Sequence, residues 1–191
     1  MPGTVTLVRH GETEWSASGR HTGRTDLPLT GDGEYEARRL RDRLAGRAFG
    51  RVFTSPLQRA FRTCALAGFG DAAKIEADLV EWDYGDYEGR TTSEILAERP
   101  GWLLFREGSP NGKQAANVGA RADRVIARLR AADDRTIVFS SGHFLRVLAA
   151  RWLGLAPSQG RLFKLDTASV SVLAYEHDSR DEPTLALWNE V

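Results

Sequence analysis

The chain has almost no cysteine, no excess of charge of either sign and no long apolar run. Cys64 is the only cysteine among 191 residues, which excludes an intrachain disulfide and fits a reducing compartment. The 26 basic side chains balance the 26 acidic ones, so bulk charge favours binding to neither nucleic acid nor a membrane surface. Any anion would therefore have to be bound by a local group of cations.

The apolar stretches are too short to span a bilayer. Met1-Pro2-Gly3 leads directly into the first predicted strand, without the basic-then-apolar pattern of a secretory signal. We therefore expect a cytoplasmic protein. The length suits one domain with a sizeable core, and no repeat, low-complexity tract or linker interrupts it. We predict a single domain over residues 1–191.

Hydrophobic periodicity predicts strands that alternate with helices. The predicted strands cover 4–8, 51–54, a short piece near 75, 136–140, 162–165, 170–175 and 185–188. The predicted helices begin after Thr30 and at Ser55-Pro56, and cover 92–99, 102–106, 114–132 and 144–153, whereas 12–28 and 79–89 are predicted loops. This order indicates an α/β fold, a three-layer sandwich whose mainly parallel central sheet has helices on both faces.

Three polar residues stand where the first predicted strand ends, at Arg9-His10-Gly11. Ligands of α/β sheets bind beyond the carboxyl ends of the strands. Arg9 offers a planar cation that suits phosphate oxygens, and His10 offers a nitrogen nucleophile that is neutral near pH 7. Gly11 lets the backbone approach a ligand closely. The pattern is typical of a phosphate site that contains a nucleophile, although the tripeptide alone also fits an ordinary polar turn.

Three further segments carry candidate chemistry. Arg59 falls in the first turn of the helix predicted after the second strand, where an anion can bind; a solvated surface arginine is the alternative. Glu81 opens a segment that mixes carboxylates with aromatic rings, which suits a general acid or simply a solvated acidic loop. The predicted strand 136–140 runs into Ser141-Gly142-His143, where His143 is either a ligand or a solvent-facing residue at a helix start.

Taken together, these segments resemble the histidine phosphatase superfamily, which has the phosphoglycerate mutase-like fold. The matching motifs follow one another in order along nearly the whole chain: Leu7 to Thr13, Thr22-Gly23 with Asp26 to Thr30 and Gly33, Ser55 to Ala60 with Thr63, and Glu81 with Tyr84-Gly85 and Glu88-Gly89. The chain looks most similar to the acid-phosphatase-like branch, because of Glu81 to Gly85 and the match through Phe144 to Trp152.

The resemblance implies a role for each candidate. His10 would accept the phosphoryl group, Arg9 and Arg59 would clamp its oxygens, and Glu81 would protonate the leaving oxygen. Because the transition state of phosphoryl transfer spreads charge over its equatorial oxygens, cations in such a site are chemically appropriate. The resemblance adds further phosphate-binding residues: Ser16, Thr22, Gly23, Ser141 and Gly142. It implies no metal ion and no cofactor.

The chain departs from the family pattern at two places. Relatives carry a second catalytic histidine directly before the glycine and five positions before an arginine, and counting back from Arg146 places Ser141 there. His143, two residues later, is a possible substitute. Relatives also carry a glutamate and a small hydroxyl residue where Lys113 and Gln114 stand, so Lys113 either adds a cation near the site or is a neutral surface change.

The leading hypothesis is therefore a phosphomonoester hydrolase with a modified and impaired site. The alternatives are a pseudoenzyme that binds a phosphorylated metabolite without turnover, and the same fold recruited to another reaction. A mutase is less expected, because Trp82 and Asp83 follow Glu81 where mutases carry basic residues. The expected partner is a phosphorylated small molecule rather than a nucleic acid or membrane, and the resemblance leaves a homodimer open.

Overall fold

The fold is built around one mixed sheet of six strands. The structure, a computed structural model, describes residues 2–191. The strands are β1 (Val5–Arg9), β2 (Arg51–Thr54), β3 (Ala73–Ile75), β4 (Thr136–Ser140), β5 (Val170–Tyr175) and β6 (Pro183–Glu190). Their order is β3-β2-β4-β1-β5-β6. Strands β3, β2, β4 and β1 pair parallel with one another, whereas β5 pairs antiparallel with β1 and with β6.

Seven α-helices lie in the described chain. They are α1 (Glu14–Ala17), α2 (Gly31–Arg43), α3 (Gln58–Leu66), α4 (Thr92–Glu98), α5 (Leu104–Glu107), α6 (Ala115–Arg130) and α7 (Gly142–Trp152). Helix α2 begins as predicted, since the Thr30 hydroxyl accepts the backbone N–H of Gly33 at 3.0 Å. Within residues 2–191, no helix combines the length and apolarity needed to cross a bilayer.

Apolar cores lie on both faces of the sheet, because successive residues of each strand point to opposite sides. Leu7 and Val138 pack with α6 and α7 in the larger core. Val8 and Phe139, one residue further along the same strands, pack with α2 and α3 in the second core. The three-layer α/β sandwich with a mostly parallel sheet is confirmed.

One predicted strand is wrong. Residues 162–165 form no strand; a 3-10 helix covers Pro157–Leu162 and irregular chain follows. The backbone there bonds to side chains instead of to a sheet neighbour: Leu165 O accepts from the Arg9 guanidinium, and Lys164 O accepts from the Trp188 indole at 2.5 Å. The predicted loop 12–28 also contains a helical turn, α1, which Thr13 and Ser16 hold in a capping box.

Helix α3 begins later than Ser55-Pro56 predicted. It begins at Gln58, and its N-cap position, Leu57, supplies no side-chain cap. The cap comes from a distant loop, since Asp26 Oδ1 accepts the Gln58 N–H at 2.8 Å. Ser55 Oγ instead accepts the N–H of Leu57 at 3.3 Å, within the turn that precedes the helix.

Candidate active site

A cavity of about 240 Å³ lies beyond the carboxyl ends of β1 and β4. These strands are parallel, so the segments that follow them meet at one edge of the sheet. The cavity brings together most of the predicted site, and its lining residues are Arg9, His10, Ser16, Gly19, Arg20, His21, Thr22, Glu81, Tyr84, Thr92, Gly142, His143, Arg146 and Leu165.

His10 is buried in the cavity wall, and one of its two ring nitrogens is engaged in a hydrogen bond. Its Nδ1 lies 2.8 Å from the Gly11 carbonyl oxygen, which requires a proton on Nδ1. Nε2 makes no hydrogen bond within the described chain and keeps its lone pair. Burial, with the nearby charges of Arg59 and Arg9, holds the pKa of His10 well below its ordinary value. A neutral imidazole with a free Nε2 is the form that a nucleophile needs.

The two predicted clamp arginines differ in what their guanidinium groups contact. Arg9 lines the cavity and donates from Nη1 to the Leu165 carbonyl, whereas its Nη2 makes no hydrogen bond within the described chain. Arg59 is fully buried and does not line the cavity. Its guanidinium donates to the carbonyls of Thr22 at 3.1 Å, Gly23 at 2.8 Å and Thr25 at 2.8 Å. Arg59 thus braces the 22–25 segment and acts on His10 through its charge.

Three predicted phosphate-binding residues from the long loop have different surroundings. Ser16 and Thr22 line the cavity, and the Thr22 hydroxyl donates to the Arg20 carbonyl at 3.2 Å. Gly23 does not line the cavity, and its N–H donates to Glu88 Oε1 at 2.8 Å. Gly23 is therefore not a free donor in this structure. A Cβ there would lie 2.5 Å from both Glu88 Oε2 and the Trp82 carbonyl oxygen, so glycine is required by packing.

Glu81 lines the cavity and caps helix α7. Its Oε1 accepts the backbone N–H groups of Trp82 at 2.8 Å and Phe144 at 2.7 Å. Its Oε2 accepts the N–H of His143 at 2.9 Å. The carboxylate thus occupies the helix N-terminus, where unpaired N–H groups and the dipole favour negative charge. Oε2, with a single bond, keeps acceptor capacity toward the cavity.

Ser141 does not reach the cavity. It is the N-cap residue of α7, and its hydroxyl is buried without a hydrogen-bond partner among residues 2–191. The side chain ends one atom beyond Cβ and does not line the cavity, and a role for Ser141 in phosphate binding stays a prediction. Gly142 does line the cavity, and a Cβ there would lie 3.2 Å from Arg9 Nε.

His143 reaches the cavity, and Tyr84 fixes its ring. The Tyr84 hydroxyl lies 2.6 Å from Nδ1 of His143 and has no other partner among the described residues. Burial holds the pKa of Tyr84 well above and that of His143 well below their ordinary values, so both are neutral near pH 7. We assign the hydroxyl as the donor to Nδ1, because it has no other acceptor among the described residues, and the imidazole then carries its proton on Nε2, which makes no hydrogen bond within the described chain.

Several cavity residues were missed by the sequence reasoning. His21, within the predicted loop 12–28, packs against Tyr84 with ring centroids 4.8 Å apart and the ring planes tilted by 42°. Arg20 and Arg146 add two cations to the wall. The sequence could have indicated Arg20 and His21 by their position, because they directly precede Thr22.

Lys113 does not line this cavity, so it adds no cation there. Within residues 2–191, no group of three potential metal ligands lies close enough to hold an ion.

The fold and the cavity define a class of protein. A neutral, buried imidazole faces a cavity lined by three arginines and one carboxylate, at the carboxyl edge of a mostly parallel sheet. This arrangement suits the binding and transfer of a phosphoryl group.

Comparison with known proteins agrees with that class. The profile of the histidine phosphatase superfamily (branch 1) matches residues 5–191, and the chain belongs to this family. It is 40% identical to an acid phosphatase of Mycobacterium tuberculosis, over 95% of this chain and 91% of that protein. It is 34% identical to the sedoheptulose 1,7-bisphosphatase of Saccharomyces cerevisiae, over 95% of this chain and 90% of that protein.

A solved structure of a Mycobacterium tuberculosis open reading frame product superposes with a TM-score of 0.92. The two chains are 35% identical, and the match covers 99% of this chain and 98% of the other. The expected family, its acid-phosphatase-like character and the phosphoglycerate mutase-like fold are confirmed. The family and the phosphatase relatives support phosphatase activity for this chain.

Proposed function

We propose that this chain hydrolyses phosphomonoesters through a phosphohistidine formed on His10, at a rate reduced by the serine at position 141. The observation that carries the proposal is the state of His10. Its Nδ1 is bound to the Gly11 carbonyl, and its pKa is held low by burial and by two arginines. Nε2 is therefore a nucleophile at neutral pH that needs no separate base.

In the first step, Nε2 of His10 attacks phosphorus and the ester P–O bond breaks. The proton that the leaving oxygen needs comes from Glu81, and Oε2 is the oxygen suited to hold it because Oε1 already accepts two N–H groups. In the second step, water attacks phosphorus and the N–P bond breaks. The water proton returns to Glu81, phosphate leaves and His10 is neutral again.

Charge on the transferred group is stabilised by Arg9 and by the Gly142 N–H, because Glu81 already accepts the N–H groups of His143 and Phe144 at the start of α7. Arg9 Nη2 is unpaired within the described chain, and the Gly142 backbone lines the cavity. A second histidine would add a positive charge at position 141, but the Ser141 hydroxyl is neutral and buried. By comparison with the loss of one oxyanion donor, the missing group lowers the rate by about a hundred- to a thousandfold.

His143 replaces the missing histidine only in part. It offers a neutral Nε2–H to the cavity, since Tyr84 occupies Nδ1 and the low pKa keeps the ring uncharged. It can donate a hydrogen bond to a phosphoryl oxygen, but it brings no charge. We assign it to substrate binding.

The test is hydrolysis of p-nitrophenyl phosphate by the chain and by His10→Ala, with acid-labile phosphate on the protein measured after rapid quenching. We expect turnover and labelling in the parent and neither in the variant. Equal hydrolysis by both proteins would refute the proposal.

A second candidate is binding without turnover, and the contacts of Arg59 favour it. Three of the five N–H groups of Arg59 donate to backbone carbonyls, and its buried Nε has no partner among residues 2–191, so most of its donors are used within the chain and fewer remain for an equatorial oxygen. The expected result would be a thermal shift with inorganic phosphate but no hydrolysis of any ester. A cytoplasmic location, a single domain and a homodimer stay predictions.

A further inference from the structure

A second pocket, of about 520 Å³, lies behind the segment that carries Glu81. Helix α6 forms its other wall, through residues such as Val118 and Arg121. The Glu81 carbonyl oxygen accepts from Arg121 Nη2 at 3.0 Å on this side, whereas the Glu81 carboxylate binds the N-terminus of α7. Glu81 is the one residue common to the linings of the two pockets.

Arg121 makes no ion pair in this pocket. The guanidinium donates to the carbonyls of Asp78, Val80 and Glu81 and lies over the Phe144 ring, 4.5 Å from its centroid. No carboxylate of residues 2–191 lies within 4.0 Å of it. Burial lowers the pKa of Arg121, although the nearby charges of Glu81 and Asp78 act in the opposite direction.

Two further cations at this pocket are weakly neutralised. The Lys113 ammonium makes no hydrogen bond or ion pair with the described chain, and Lys113 lines the pocket. Arg24 lies 3.7 Å from Asp83 with 78% of its side chain exposed, a geometry that contributes little. Asp83 is paired with Arg24 alone, and Arg124, the fourth cation of the lining, is paired with Asp78.

The pocket also has an apolar floor. Pro56, Leu57, Val80 and Val118 line it between the cations. A bare ion would leave this surface in water, whereas an organic anion with an apolar part would cover it.

We propose that this pocket binds a small organic oxyanion, with Lys113 and Arg121 on the anionic group and the apolar floor against the remainder. Phosphate and carboxylate share the chemistry that these cations recognise. The proposal does not depend on catalysis at His10.

The hydrogen bonds of Lys113 connect the pocket with the Glu81 segment. The Lys113 N–H donates to the Asp83 carbonyl at 2.9 Å, and the Trp82 indole N–H donates to the Lys113 carbonyl at 2.9 Å. The Trp82 indole is thus a built-in reporter, because an anion on Lys113 perturbs the carbonyl to which it donates.

The experiment is a ¹⁵N–¹H NMR titration of the chain with inorganic phosphate and, in a separate arm, with citrate. We expect the Trp82 indole and the backbone signals of Lys113 and Asn117 to shift with a single dissociation constant. Phosphate also shifts His10 and Gly142 in the catalytic cavity, and that second set serves as an internal reference.

Variants that change the charge at position 113 test whether the Trp82 shift depends on Lys113. Lys113→Glu should weaken the Trp82 response by about tenfold or more, with Lys113→Gln in between, while the Gly142 response to phosphate is retained. Lys74→Glu is the matched control, because Lys74 is exposed on β3 and lines neither pocket. The proposal is overturned if neither anion shifts the Trp82 indole, if Lys113→Glu leaves its titration unchanged, or if Lys74→Glu weakens it equally.

Discussion

Glu81 Oε2 accepts the backbone N–H of His143 at 2.9 Å, so the predicted acid is held by the helix that follows β4. The same carboxylate also binds the N–H of Phe144 through Oε1. Ser141, the N-cap residue, gives this helix no side-chain cap. One carboxylate therefore both stabilises the start of α7 and stands in the cavity, and its position depends on backbone groups rather than on another side chain.

Removal of the Glu81 carboxylate should destabilise the protein as well as inactivate it. Glu81→Ala leaves buried N–H groups without an acceptor, and we expect it to lower the free energy of unfolding by about 2–3 kcal/mol. Glu81→Gln keeps one carbonyl acceptor for the three N–H groups and should cost about 1 kcal/mol. Urea denaturation measures both. Glu98→Gln, on an exposed side chain of α4, is the control, and an equal effect there would contradict the capping role.

Gly33 should not tolerate the substitution that usually improves a helix. Alanine normally stabilises a helix interior by about 1 kcal/mol relative to glycine. A Cβ on Gly33, however, would lie 2.1 Å from the Glu12 carbonyl oxygen, beside the segment that follows His10. We expect Gly33→Ala to lower the thermal midpoint and Gly31→Ala, in open space on the same helix, not to lower it. Equal midpoints for the two variants would show that the contact relaxes freely.

The fold could be predicted from the sequence because the hydrophobic periodicity and the polar residues at the strand ends both indicate an α/β sheet. Strands β4 and β5 were placed at their observed bounds, and the Thr30 cap marked the start of α2. The predicted bounds are wrong where the backbone finds its hydrogen-bond partners in distant parts of the chain instead of in nearby residues. Asp26 caps α3 from another loop, and side-chain donors hold the backbone at 164–165, which no local pattern in the sequence indicates.

The sequence predicts which residues lie at the site better than it predicts which atoms their side chains contact. The motif positions placed His10, Arg9 and Glu81 at the cavity. Sequence order could not show that Arg59 turns to three backbone carbonyls or that the Ser141 hydroxyl is closed off, because both depend on side-chain direction. The pairing of Tyr84 with His143 joins residues 59 positions apart.

His143 should contribute to anion affinity through its Nε2–H. Hydrogen bonds to charged groups contribute about 1.5–3 kcal/mol, so His143→Asn should weaken the binding of inorganic phosphate by about tenfold or more. Tyr84→Phe, which removes the hydroxyl that fixes the tautomer, should weaken it less. Calorimetric titration measures both. His177→Asn, on an exposed histidine, should bind like the parent, and a parent-like Kd for His143→Asn would refute the assignment.

The stability of the protein should fall as the pH falls from about 6.5, the ordinary pKa of histidine. The folded-state pKa values of His10, His21 and His143 are lowered, chiefly by burial. Below pH 6.5 these histidines therefore bind protons in the unfolded chain but stay neutral in the folded chain. Each histidine then lowers the free energy of unfolding by up to about 1.4 kcal/mol per pH unit.

Urea denaturation between pH 7.5 and pH 5 measures this slope. His143→Gln and His10→Gln should each flatten it, since each removes one imidazole that must stay neutral in the fold. The carboxyl groups whose pKa values are lowered, such as Asp78, change the stability only at lower pH. An unchanged slope in both variants would contradict the burial argument.

We infer that His10 remains a working nucleophile in a site that lacks its second histidine. The direct measurement is p-nitrophenyl phosphate turnover by the parent, Ser141→His, His10→Ala and the double variant. We predict a gain of about a hundred- to a thousandfold for Ser141→His and no turnover in either protein that lacks His10. No gain from Ser141→His, or an equal gain without His10, would contradict the account.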